Sequence, residues 1–258
     1  MTGRIVSGLR LSPILIVLAL GACGGGGGEA VPTVTVPTTT APAEKTAVRA
    51  YFLLDGKVWP FAREVEKTGA VAAAALGELI MGPSPVESRD LEVTSSVPAD
   101  LEFSGLAVSD GVARVELSDD LSRPALAQVV HTLTQFPTVE AVEIDGKRYT
   151  RAGVEAFAPS ILVESPLPFE HVSSPLRARG TANTFEATFE YELTDPEGKV
   201  IADHFVTATS GSGTRGTFEF KVPFKVDRAG VGALIVFERS AEDGSRIHEV
   251  EIPIYLES

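Results

Sequence analysis

One cysteine, Cys23, stands in 258 residues, so no disulfide can form within the chain. Tryptophan is equally scarce, with Trp59 alone. The four histidines, His131, His171, His204 and His248, lie far apart. None forms a short-spaced metal motif with another histidine or with the cysteine. Basic residues are few, 22 against 35 acidic ones, for a net charge of −13. Such a chain is soluble and is repelled by nucleic acid and anionic lipid, which argues against a nucleic-acid partner. The N-terminal apolar run, Ile14 to Leu20, is too short to span a bilayer, which takes about 20 residues.

What that run does have is a leader's flanks. Arg4 and Arg10 precede it, and Leu20-Gly21-Ala22-Cys23 follows. A positive n-region, an apolar core and small residues at the end read as a secretory signal peptide. The segment resembles a bacterial lipoprotein signal. That resemblance implies loss of residues 1–22, lipidation of Cys23 with at least a diacylglyceryl group, and attachment to the extracytoplasmic face of the cell membrane. A single acyl chain would bind only marginally, so more than one is needed. The competing accounts of Cys23 are a buried free thiol and an ordinary signal-peptide residue. Cleavage would remove Arg4 and Arg10 and leave 20 basic against 35 acidic residues, a net charge of −15. About 235 residues remain, enough for one large or two ordinary domains.

Residues 23–44 read as the anchor and a linker. Gly24 to Gly28 is flexible, and the Val31–Pro42 tract of Val, Pro, Thr and Ala favours extended polyproline II. Fully extended, some twenty residues reach on the order of 70 Å. The tract is suited to hold a folded part off the membrane and could carry O-linked sugar.

Residues 45–158 show α/β punctuation. Thr46–Leu54 and Lys57–Arg63 flank Asp55-Gly56, a hairpin signal. A helix follows, with Thr68 as N-cap and Ala72, Ala75, Leu76, Leu79 and Ile80 on one face, stopped by Gly82-Pro83. The pattern recurs with Leu101–Val108, Asp110-Gly111 and Val112–Leu117. A second helix is capped by Ser122, has Pro124 in its first turn, and carries Leu126, Val129, Val130 and Leu133 as its stripe. Asp145-Gly146 closes a third hairpin. The order ββα-ββα-ββ predicts an α/β layer domain with two helices packed on a sheet. The fold class expected for the whole chain is α+β.

This region resembles the GerMN domain of sporulation and spore germination. The resemblance is carried by Tyr51-Phe52-Leu53-Leu54-Asp55-Gly56, Arg63, Leu79-Ile80-Met81-Gly82-Pro83, Ser96-Val97-Pro98, Val108-Ser109-Asp110-Gly111, Val115-Glu116-Leu117-Ser118 and Val142-Glu143-Ile144-Asp145-Gly146. It implies a binding or assembly module of the cell envelope and supplies no catalytic residues.

In residues 159–258 the period becomes two. Phe185, Ala187, Phe189, Tyr191 and Leu193 alternate with polar residues, as do Phe218 to Val226 and His248 to Leu256. With strands at Ile161–Glu164, Leu176–Gly180, Val200–Ala208 and Val231–Arg239, seven strands predict an immunoglobulin-like sandwich. The antibody cysteine pair and core tryptophan are missing. The region resembles the immunoglobulin-like domain of bacterial spore germination through Val172-Ser173-Ser174-Pro175-Leu176, Gly180-Thr181-Ala182, Phe185-Glu186-Ala187, Asp195-Pro196-Glu197-Gly198, Phe218-Glu219-Phe220, Val236-Phe237-Glu238 and Ile252-Pro253-Ile254.

Signs of chemistry are thin. Asp119-Asp120 precedes a helix, where dipole compensation is the plain account and a general acid/base pair the sharper one. Gly211–Gly216 lacks the ending of a P-loop, and Ser210-Gly211-Ser212-Gly213 is not a nucleophile elbow. Trp59, Tyr51 and Phe61 fit either a core or a sugar- or peptide-binding platform. Glu186, Glu190 and Glu192 suit a solvated strand face, a basic partner or a cation. His131 lies off its helix's apolar stripe and is expected in solvent. His248 falls on the inward register of its strand, near an edge or satisfied by a hydrogen bond.

The expectation is a non-enzymatic, cofactor-free lipoprotein that binds or assembles at the envelope through a protein or cell-wall partner. The alternatives are an accessory subunit of a membrane partner such as a receptor kinase, and a cryptic cell-wall hydrolase. No nucleophile or metal constellation supports the last.

Overall fold

Three Asp-Gly pairs close the hairpins of the first domain. They join β1 (Lys45–Leu54) to β2 (Lys57–Glu66), β3 (Phe103–Ser109) to β4 (Val112–Leu117), and β5 (Ala141–Ile144) to β6 (Lys147–Tyr149). In each pair both residues have positive φ: 50° and 73° at Asp55-Gly56, 52° and 75° at Asp110-Gly111, 50° and 75° at Asp145-Gly146. That is the turn whose twist matches paired strands. The computed structural model describes residues 44–258. The leader, Cys23 and the linker up to residue 43 lie outside the described residues.

The helices follow from their punctuation, with two corrections. α1 (Val71–Met81) ends at Gly82, at φ 85°, but Thr68 does not cap it. The Thr68 hydroxyl accepts from the Ala70 N–H at 3.1 Å, and the helix starts without a side-chain cap. A further short helix, α2 (Pro85–Asp90), was not anticipated. Its signal lies in Ser84-Pro85-Val86-Glu87: Ser84 accepts from the Glu87 N–H, and the Glu87 carboxylate accepts from the Ser84 N–H. Arg63 grips the same carboxylate with two bonds of 2.8 and 2.7 Å. α3 (Arg123–Leu133) is capped by Ser122 and carries the crossover between the parallel strands β4 and β5.

The strands do not make one sheet. β1 and β2 form a two-stranded sheet, and β3-β4-β5-β6 a separate four-stranded one. Side chains of α3 and of Gln135, just past its C-terminus, explain the separation. On the edge of β1 away from β2, Gln135 accepts from the Arg49 N–H at 2.7 Å and donates to its carbonyl at 2.6 Å. Thr132 accepts from the Tyr51 N–H at 3.1 Å, and Gln128 donates to the Tyr51 carbonyl at 3.0 Å. A bridge from Leu53 to Thr94 completes the edge. Backbone groups that another strand would satisfy are satisfied by a helix.

The second domain stacks two sheets. One has the order β11-β10-β13-β14-β8, from β8 (His171–Val172), β10 (Thr188–Thr194), β11 (Val200–Thr207), β13 (Gly230–Arg239) and β14 (Arg246–Leu256). The other has the order β12-β9-β7, from β7 (Ile161–Ser165), β9 (Leu176–Ala182) and β12 (Gly216–Val222). Phe189, Leu193, Leu176, Leu234 and Ile254 fill the space between. A side chain at Gly180 would meet the Leu162 carbonyl at 2.0 Å, so only glycine lets β9 approach β7 there. The expected alternation from Phe185 is broken. Residues 185–187 form a 3₁₀ turn with Glu186 and Ala187 at φ 53° and 59°, which leaves Phe185 exposed and starts β10 at Thr188.

The described residues form one compact unit. The core of the first domain includes Leu162 and is flanked by Val250, both from the second.

Candidate functional site

The segment between the domains is short and heavily bonded. Thr150 caps a 3₁₀ turn over Arg151–Phe157, and β7 begins at Ile161. Glu164 on β7 points back into the first domain. Its carboxylate receives the Tyr51 hydroxyl and the Arg151 guanidinium, the latter at 2.9 Å, with Arg49 at 3.6 Å. Burial works to raise the pKa of Glu164, but the Arg151 charge, the Tyr51 and Arg151 hydrogen bonds and the Arg49 charge prevail and hold it below the usual range. Tyr51 is pushed far up, first by burial and then by the Glu164 charge. Across the same joint, Arg215 of the second domain meets Glu155 at 2.9 Å and the Pro159 carbonyl at 2.7 Å. Lys57 donates to the Ala156 carbonyl at 2.8 Å.

Beside this joint lies a half-open cleft of about 380 Å³. Leu54, Trp59, Pro159 and Val250 supply its apolar lining; Asp55, Glu251 and His248 are among its polar groups. The size falls in the range of small-molecule sites, about 300–1,000 Å³. His248 reaches the cleft through a bulge. Glu238 pairs with Ile247 and Val236 with Val250, so His248 and Glu249 together oppose Phe237 alone. The extra residue resets the alternation and turns His248, at φ 52°, out of the predicted inward register. Its Nδ1 lies 2.9 Å from a carboxylate oxygen of Glu238, which is 6% exposed. Glu238 also accepts from the Phe185 N–H at 2.6 Å.

The remaining sequence candidates scatter. His131 is buried, contrary to expectation: it is 1% exposed, its ring lies 5.4 Å from Tyr51, and neither ring nitrogen has a hydrogen-bond partner. Burial first, then the Arg151 and Arg215 charges, hold its pKa well below the ordinary value. His171 stacks on Tyr255, and His204 lies on the outer strand β11. Among the described residues no group of three or more His, Cys, Asp or Glu side chains could hold a metal ion. Asp119 and Asp120 are exposed and lie outside the first turn of α3. Of Gly211–Gly216, residues up to Arg215 form the loop before β12 and Gly216 begins the strand, with Arg215 spent on the joint. Tyr51 and Phe61 are core residues, and Trp59, though 7% exposed, lines the cleft. The strip of Glu190 and Glu192 is met from within the chain by Arg239 and Arg246, while Glu186 stays exposed. Gln128, Thr132 and Gln135 were not singled out in the sequence, nor was Glu164.

Residues 34–150 match the family described as sporulation and spore germination, and residues 160–245 match the immunoglobulin-like domain of bacterial spore germination. Each model matches one of the two domains, and the chain resembles these germination families through both. Among solved structures, it is similar to the tandem GerMN domains of the sporulation protein GerM from Bacillus subtilis. There the identity is 21%, 43% of each chain is covered and the TM-score is 0.35, so this chain spans less than half of that structure. A putative lipoprotein from Clostridium perfringens is similar at 16% identity over 45% of this chain and 92% of that one, with a TM-score of 0.30. The first GerMN domain of GerM is similar at 22% identity over 40% and 86%, with a TM-score of 0.30. No curated protein matches the chain. Among the described residues no helix is long and apolar enough to cross a membrane.

Proposed function

We propose that the chain is a lipid-anchored, extracytoplasmic binding and assembly protein of the cell envelope, held to the membrane through Cys23 and acting without catalysis. The observation that carries this reading is the joint around Glu164. It couples two germination-family domains through a nearly buried charge cluster, and so presents one fixed surface rather than two independent modules. The leader ending in Leu20-Gly21-Ala22-Cys23 supports the anchor, and the Gly and Pro/Thr linker supports display at a distance. The partner is an envelope protein or the cell wall; the net charge of −13 disfavours nucleic acid.

Crosslinking of the membrane-tethered chain, with identification of what it captures, tests the binding role. Recovery of a defined envelope protein or of wall fragments is the expected result. Muropeptide release by the purified chain, abolished by a single Asp or Glu substitution, would overturn the non-catalytic reading. Cys23→Ser tests the anchor. It should move the protein out of the membrane fraction or block processing of the leader, and unchanged retention with normal cleavage would sink the lipid assignment.

A further inference from the structure

The cleft at the domain joint has more acceptors than donors: Asp55, His248, Glu249 and Glu251 line it against Lys57 and Ser160. Asp55 and Glu251 are exposed at its rim and take part in no ion pair among the described residues. The one cation of the lining, Lys57, has its ammonium on the Ala156 carbonyl, and Arg246 close by in sequence binds Glu192 and Glu249. His248 adds a third acceptor. With Nδ1 bonded to the buried Glu238 carboxylate, the neutral ring carries its proton on that nitrogen and presents Nε2 as a lone pair. The bulge and the left-handed backbone at His248 are the local distortions that place this side chain at the cleft. The apolar lining of Leu54, Trp59, Pro159 and Val250 has no charge of its own.

We infer that this cleft binds a primary-ammonium side chain on an apolar stem, of the lysine type, presented by a peptide partner. A primary ammonium has three N–H donors and no acceptor, which suits the Asp55 carboxylate, the Glu251 carboxylate and His248 Nε2. Its methylene stem fits an apolar wall, and the indole of Trp59 favours a cation beside it. A carboxylate or phosphate ligand would meet two unpaired acids against the single Lys57 ammonium and is disfavoured by that balance. The inference rests on the binding reading of the chain but not on its lipid anchor.

Trp59, the only tryptophan, is a built-in reporter. The full chain, purified in detergent, is titrated with Nα-acetyl-lysinamide while Trp59 emission is followed. The control ligand is Nα-acetyl-norleucinamide, which keeps the stem and lacks the ammonium. The lysine amide should give a saturable change that weakens in high salt, and the norleucine amide should bind about tenfold more weakly or not at all, as loss of a charge-assisted hydrogen bond requires. Glu251→Gln and Asp55→Asn should each weaken the lysine amide by about tenfold. Glu219→Gln changes net charge equally on a distant strand and should leave binding unchanged. Equal binding of the two amides, no saturable change in the folded chain, or indifference to Glu251→Gln and Asp55→Asn overturns the inference. A partner captured by crosslinking alongside failure of the amides overturns the cleft assignment alone. Saturable amide binding without a captured partner supports the cleft and counts against the assembly reading.

Discussion

At position 131 a histidine occupies space that an apolar residue would fill. Both ring nitrogens are buried without partners, a situation that costs about 1–3 kcal/mol for a polar group. The fold therefore keeps the ring neutral, with Arg151 and Arg215 adding repulsion against a second proton. The ordinary value, 6.5, applies in the unfolded chain. The depressed folded value means that His131 costs nothing in protonation above pH 6.5, and that stability is lost as pH falls below it, at up to about 1.4 kcal/mol per pH unit for one proton. His131→Leu should leave stability at pH 7 unchanged or raised and should flatten its decline between pH 7 and 5. Urea unfolding at both pH values checks this; an unaltered slope would show that His131 takes up no proton on unfolding. The residue was misplaced in the sequence for a physical reason. Every residue from Ala127 to Leu133 is buried, so α3 has no solvent face over that stretch and a 3.6-residue stripe has nothing to contrast with. Glu164 is equally silent, because two of its three partners, Tyr51 and Arg49, lie in β1, Tyr51 113 residues away, and only folding brings them together with it.

The elements most legible in the sequence are those with local causes. Asp-Gly turns, the Gly82 stop and the Ser122 cap each depend on a few neighbouring residues. What was not legible is how β1 treats its second edge. Gln128, Thr132 and Gln135 recur at helical spacing among apolar neighbours, and that polar stripe was the available signal. Gln135 is the most exacting of the three, since one amide satisfies both the N–H and the carbonyl of Arg49. Gln135→Leu keeps bulk and removes both bonds. It should destabilise the protein by about 1–3 kcal/mol and speed amide exchange at Arg49, with little effect at the turn residues Asp55 and Gly56. Exchange at Arg49 as slow as in the parent would mean that water or a neighbour replaces the glutamine. The bulge at His248 belongs to the same class of feature. Strict alternation from His248 to Leu256 predicts one face, and one extra residue against Phe237 changes it.

For the whole molecule the question is whether two domains act as one, and Glu164 decides it. Its side chain is 15% exposed and serves three partners from the first domain. Removing one member of such a cluster strands Arg151 with no compensating charge, which costs about 3–5 kcal/mol for a fully buried pair and somewhat less here. Glu190 offers the contrast. It pairs with Arg239 across the surface with 37% of its side chain exposed, where a pair contributes about 0–1 kcal/mol. Glu164→Gln should therefore destabilise strongly and Glu190→Gln scarcely at all. The mode of unfolding should differ as well. An intact joint makes the domains melt in one calorimetric transition, and a broken one lets the first domain and the sandwich separate into two. The same logic gives the acid response. With the Glu164 pKa lowered in the fold, the joint is fully ionised above the ordinary glutamate value of 4.5 and is lost as pH falls below it, a window lower than that of His131. Differential scanning calorimetry of both variants checks the coupling. If Glu164→Gln melts in one transition at the parent temperature, the domains are held by their apolar contact through Leu162 and Val250, and the charge cluster is incidental to the fixed surface on which the binding role depends.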